Sequence, residues 1–221
     1  MAQKELPYYT KGEEIFNAVT HIVGGAFGIV ALVLSVIYAV IYKHDALGIL
    51  SVVLYGVSMI LLYTMSSIYH FLRRNKAKRV FRIFDHCTIY LLIAGTYSPM
   101  CLIVLRDTTI GLPLFIVVWV CAIIGITCNA INMYAKPIKI LSMILYLLMG
   151  WAVIFGLKDL LAVFKGPGFY YLLAGGIAYT IGVVFYAFGK KQKYIHSIWH
   201  LFVLLGTILQ FISIFFYVIV R

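Results

Sequence analysis

Seven apolar stretches, each long enough to cross a bilayer, constrain this chain more than any single residue does. They run over about residues 16–42, 46–72, 82–105, 111–133, 138–157, 169–189 and 194–220, joined by short connections. About 20 apolar residues in a helix span the hydrocarbon core of a membrane. Backbone groups in lipid find no water to bond, so each stretch satisfies its own N–H and C=O groups as a helix. The pattern predicts an all-α bundle of seven transmembrane helices. The connections leave no room for a soluble domain, so residues 1–221 are read as a single integral membrane domain. Composition agrees, with only 11% charged residues where soluble domains carry about 25%.

The charge that remains is lopsided: 18 Lys and Arg against 7 Asp and Glu, a net +11. In a membrane chain this excess fits cationic loops beside anionic lipid, and no nucleic-acid partner is expected. Thirteen basic residues (Lys4, Lys11, Arg73, Arg74, Lys76, Lys78, Arg79, Arg82, Lys136, Lys139, Lys190, Lys191, Lys193) precede the first stretch or lie in the even connections. The other side holds five: Lys43, Arg106, Lys158, Lys165 and Arg221. The positive-inside rule then puts the N-terminus in the cytoplasm, and an odd number of crossings puts the C-terminus outside. A cleavable signal peptide is not expected, because the first apolar run is too long and Lys4, Glu5, Lys11, Glu13 and Glu14 precede it. Cys87, Cys101, Cys121 and Cys128 all sit in apolar stretches and read as small packing residues. Gly24 and Gly28, and Gly175, Gly182 and Gly189, mark places where helices approach closely. Pro99 is expected to kink the third crossing.

Ionisable groups inside such stretches are costly, which singles out a few. His196 and His200, four residues apart, share a face at the start of the last crossing. Ser66 and His70 share a face at the end of the second, and Asp85 lies near the start of the third. With about 1.5 Å rise per residue, His70, Asp85, His196 and His200 all fall within roughly 10 Å of the cytoplasmic boundary. Three neutral imidazoles with an open fourth position form a catalytic type of Zn2+ site. Zinc lowers the pKa of a bound water to about 7. Asp85 is positioned to accept that water's proton, and Ser66 to hold the water or donate to a developing oxyanion. Hydrogen-bonded packing or a metal-free proton relay is the alternative for the histidines, and a helix-start carboxylate the alternative for Asp85. Glu14, Asn17 and His21 form a second polar stripe, either a supporting layer around the site or helix-start capping. His86 and His44 are read as interfacial and loop histidines outside the site. Trp119, Trp151 and the tyrosines are assigned to aromatic belts and packing.

On these residues the sequence resembles the hemolysin III family, the bacterial branch of the progestin and adipoQ receptor (PAQR) family. The resemblance covers nearly the whole chain. It rests on Glu14-x-x-Asn17-x-x-Thr20-His21, Ser66-x-x-x-His70, Phe84-Asp85-His86 with Ala94-Gly95-Thr96-Tyr97-Ser98-Pro99, and His196-x-x-x-His200. It implies a seven-helix protein of the bacterial plasma membrane with its N-terminus in the cytoplasm. It also implies a zinc ion held by His70, His196 and His200, with Asp85 beside its water. The wider superfamily includes adiponectin receptors and alkaline ceramidases, which look like lipid amide hydrolases built on this site, and there the motif serine corresponds to Ser66.

Three functions compete. The first is a zinc-dependent hydrolase acting on an amide or ester of a membrane lipid. The second is a regulator of membrane lipid homeostasis in which zinc is structural. The third is a cytolytic or pore-forming protein, against which stands the lack of any helix with a polar stripe along its whole length.

Overall fold

Thr10 and Glu13 decide where the first helix begins. The Glu13 N–H donates to Thr10 Oγ1 at 3.3 Å, and Glu13 Oε2 accepts from the Thr10 N–H at 2.9 Å. This reciprocal cap satisfies backbone donors that the first helical turn leaves without partners. It starts α1 (Lys11–Tyr42) at the polar residues, ahead of the apolar run that begins near residue 16. The computed structural model describes residues 6–188 and 192–220. Lys4, Glu5, Gly189, Lys190, Lys191 and Arg221, used above, lie outside the described residues.

After α1 come α2 (Ala46–Phe71), α3 (Lys76–Pro99), α4 (Gly111–Asn132), α5 (Lys136–Gly150), α6 (Leu157–Val163), α7 (Pro167–Phe188) and α8 (Ile195–Ile214). A 3₁₀ segment, Ala152–Gly156, joins α5 to α6 into one crossing. Among the described residues, seven helical runs are long and apolar enough to cross a membrane.

Hydrophobicity selects the crossings, but small and polar residues select the face each turns inward. On α1 the buried positions are Asn17, Ala18, His21, Gly24, Gly28, Ala31, Ser35 and Ala39, while Ile22, Val23, Ile29, Val30 and Val33 stay exposed. Without a hydrophobic force between helices in lipid, close backbone approach is what small residues contribute. A β-carbon at Gly24 would collide with the Tyr63 ring of α2.

Two of the seven runs differ from the continuous helices expected. Pro99 ends the regular part of α3 and the chain goes on as a π-helical turn, Met100–Val104, because proline offers no N–H to the carbonyl four residues back. The fifth run is not one helix over 138–157: it starts at Lys136, breaks after Gly150 and continues to Val163. The Tyr97 hydroxyl patches the break, donating to Gly150 O at 3.1 Å and accepting from the Val153 N–H at 2.9 Å. The third run also starts earlier than residue 82, at Lys76, where the Asn75 side chain caps it.

Packed seams join α1 to α2, α2 to α3, α3 to α4, α4 to α5, α7 to α8 and α8 to α1, whereas α5 and α7 meet only sparsely. The run containing α3 is the most enclosed, with 67% of its span buried, followed by α2 and α8 at 50%. Those three helices carry His70, Asp85, His196 and His200. At the opposite end of the bundle, Asp45 Oδ1 accepts from the Gly48 N–H at 2.9 Å and lies 3.1 Å from Arg106. The Gly48 N–H, and then the Arg106 guanidinium, hold the Asp45 carboxyl below the usual carboxylate range. His44 sits in this turn with a positive φ of 54°, as a loop residue.

Candidate metal centre

The last turn of α2 and the first two turns of α8 lie side by side, so the sequence-distant histidines meet. His70, His196 and His200 are all buried, and each offers a ring nitrogen within 4.8 Å of the others. The Nε2 atoms of His196 and His200 are 3.2 Å apart. Two nitrogens about 2.05 Å from a tetrahedral cation would be about 3.3 Å apart, so this spacing fits a shared ion.

His70 is held by a carboxylate. Its Nδ1 lies 2.7 Å from Glu14 Oε2, and the other oxygen of Glu14 is 2.6 Å from Lys78 Nζ. A carboxylate only accepts, so the proton sits on Nδ1 and the Nε2 lone pair is free for a ligand. That Nε2 is buried and has no hydrogen-bond partner. Lys78 is 1% exposed and also donates to Leu72 O at 3.0 Å, at the end of α2. A buried cation thus fixes the carboxylate that fixes the imidazole. The donor set fits a divalent ion of the kind that imidazole nitrogen binds.

The other expected residues fall around this trio at different ranges. His21 is completely buried, its ring centroid 3.8 Å from that of His200, and neither of its nitrogens has a partner. Asn17 is 0% exposed, with both side-chain polar atoms unpartnered. Asp85 is buried but does not join the ligand trio. Its Oδ2 lies 3.5 Å from His86 Nδ1, and its charge acts on His21 and His196. The Ser66 hydroxyl is a neighbour of the Asp85 carboxyl, without a hydrogen bond of ordinary geometry. Buried polar atoms without partners are uncommon, and here they gather in one place, as a site for an ion and water requires.

His86 is not a bystander as the sequence suggested. Besides touching Asp85, its Nδ1 lies 3.0 Å from Arg82 O and its Nε2 3.3 Å from the Tyr186 hydroxyl. Its placement one residue after Asp85 was the available signal. Lys78 passed as one cation among many, because its partner Glu14 is 64 residues away. Tyr9 gave no signal, lying before the apolar run. Its ring stacks on His196 with centroids 4.8 Å apart and lies 5.7 Å from that of His70. Burial pushes the Tyr9 phenol's pKa up, so it stays neutral. Arg74 straps the segment down, donating to Pro7 O at 2.8 Å and Leu6 O at 3.0 Å. The N-terminal segment therefore roofs the histidines at this end of the bundle.

On the other side the site opens into a cavity of about 140 Å³. His21, Asp85 and His86 line one end of it, and Tyr97, Trp151, Gly176 and Thr180 the other. Between them the walls are largely apolar, with Ile89, Leu92, Ile93, Leu147 and Val203 among the lining side chains.

Residues 9–211 match the model of a family described as "Haemolysin-III related". The chain is 42% identical over 209 residues to the Hemolysin-3 homolog of Bacillus subtilis (strain 168), covering 95% of this chain and 96% of that one. It is 43% identical over 208 residues to Hemolysin-3 of Bacillus cereus, with coverage of 94% and 92%. A more distant likeness, 25% identity over 170 residues, is to the human Monocyte to macrophage differentiation factor, with coverage of 74% and 68%.

Proposed function

The chain belongs to the haemolysin-III related family of its matched model and, with seven bilayer-length helices, is a multi-pass membrane protein; on that premise we propose that it is a zinc-dependent hydrolase of membrane lipids. The carrying observation is the trio of buried imidazoles opening directly onto a largely apolar cavity. The proposal includes the sidedness read from the basic residues, with the histidine end of the bundle in the cytoplasm.

His70, His196 and His200 would hold the ion. Three imidazoles with no thiolate suit zinc, and three protein ligands leave the open position of a catalytic site. Zinc bound there supplies Lewis acidity, polarising a carbonyl and acidifying water. Glu14, pinned by Lys78, keeps the His70 ring turned with Nε2 inward. Asp85 takes the proton of the attacking water as its oxygen adds to the carbonyl carbon. When the C–N or C–O bond breaks, that proton leaves with the amine or alcohol. Ser66 donates to the oxygen on which negative charge develops. Asn17 and His21 bind the remaining water, and Tyr9 with its strap keeps bulk water out.

The test is metal analysis of purified protein together with turnover of a panel of ceramides, acyl amides and phospholipids. Stoichiometric zinc, with zinc and turnover both lost in His200→Ala, is the expected result. Zinc without cleavage of any lipid overturns the enzymatic reading. A second reading, a regulator with structural zinc, draws on the way the imidazoles tie α2 to α8. Chelation would then lower the melting temperature and stop no reaction.

A further inference from the structure

Trp151 has no part in the chemistry above, yet its side chain is the most firmly held group at the far end of the cavity. It stands where α5 breaks, and its Nε1–H donates to Thr180 Oγ1 on α7 at 3.1 Å. Thr180 in turn donates to Gly176 O at 2.8 Å. The break itself is fixed by the two backbone bonds of the Tyr97 hydroxyl. The indole thus bridges two helices that otherwise meet only sparsely, and it does so across the end of the cavity.

The cavity's length follows from α3. Its lining runs from Asp85 to Tyr97, which at 1.5 Å per residue is about 18 Å, or roughly 14 extended methylenes. Spread over that distance, a volume of about 140 Å³ describes a narrow bore, suited to one unbranched hydrocarbon chain and not to a fused-ring lipid.

We propose that Trp151 is the chain-length gauge of this bore: the cavity takes a single linear acyl chain of about 14 carbons, and the indole stops its end. The inference rests on the lipid reading for its substrate class, but binding alone tests it. Each methylene buried within the bore tightens binding about fourfold, and each one past the indole adds nothing or clashes.

The experiment uses free saturated fatty acids of about 8 to about 20 carbons, which carry no bond to hydrolyse, with the rise in melting temperature of the full chain as readout. In the wild type the rise peaks near 14 carbons. In Trp151→Ala the peak moves longer by about four carbons, and in Trp151→Phe it moves little. Gly176→Leu is the second variant. A β-carbon at Gly176 meets nothing within 4 Å, so the side chain enters open space without disturbing the fold, and the peak moves shorter. An unmoved peak in Trp151→Ala or Gly176→Leu, or no peak at all, overturns the proposal. A gauge that moves as stated while no lipid is cleaved sinks the hydrolase and leaves the gauge. Lipid cleavage indifferent to chain length and to Trp151 does the reverse.

Discussion

Glu14 Oε2 and His70 Nδ1 stand 2.7 Å apart although 56 residues separate them in the chain. The contact joins the first turn of α1 to the last turn of α2 and sets the tautomer of an imidazole that faces two others. Partners of this kind typically change metal affinity 10- to 100-fold when removed. Glu14→Gln should therefore weaken zinc binding by about that factor in a competition titration, while His196→Ala should abolish it.

The same substitution leaves Lys78 as a buried ammonium without its carboxylate. Breaking a buried pair from one side costs about 3 kcal/mol. Thermal unfolding of Glu14→Gln should show that loss. Adding Lys78→Met should recover most of it without restoring zinc affinity.

Tyr9 and Arg74 govern access rather than binding. With Arg74→Ala the strap to Leu6 O and Pro7 O is lost, and with Tyr9→Ala the ring over His196 is lost. Both should speed zinc removal by a water-soluble chelator by about tenfold or more, in proportion to how often the roof lifts. Stopped-flow release with an unchanged rate would mean the roof is not the barrier.

At the other end of the bundle, Asp45 gives a pH dependence. Its carboxyl is held below the ordinary range by the Gly48 N–H and by Arg106. A depressed folded pKa contributes stability that is present above the unfolded value of about 3.9 and is lost as pH falls through the folded value. Asp45→Asn should lower the melting temperature slightly at neutral pH and flatten its fall below about pH 4.

Gly24 tests the packing of α1 on α2. A β-carbon there meets the Tyr63 ring, and the Tyr63 hydroxyl donates to Thr207 on α8 at 2.7 Å. Gly24→Val should destabilise by about 2 kcal/mol or more, because neither the ring nor its bonded hydroxyl can yield. A melting temperature within a degree of wild type would contradict that tight approach.

The sequence disclosed what repeats or costs energy. Seven apolar runs gave the helices, and the charge of burying an imidazole made His70, His196 and His200 conspicuous. Glu14 and His21 were found by helical spacing. Trp151 shows the limit: nothing in the run 138–157 breaks a helix by itself, and the break exists because a tyrosine from α3 satisfies the freed backbone groups. Lys78 shows another, since a cation in a basic loop reveals its buried partner only after α1 and α3 have packed. Tyr9 belongs to no periodic element, so pattern alone could not place it on the site.

One imidazole of the trio comes from the second crossing and two from the last. A chain still being inserted therefore owns a single weak ligand until its final helix enters the bilayer. Ion capture is then a late event of biogenesis, and it pins the last helix to be made against one of the first. Loading with metal marks a finished molecule.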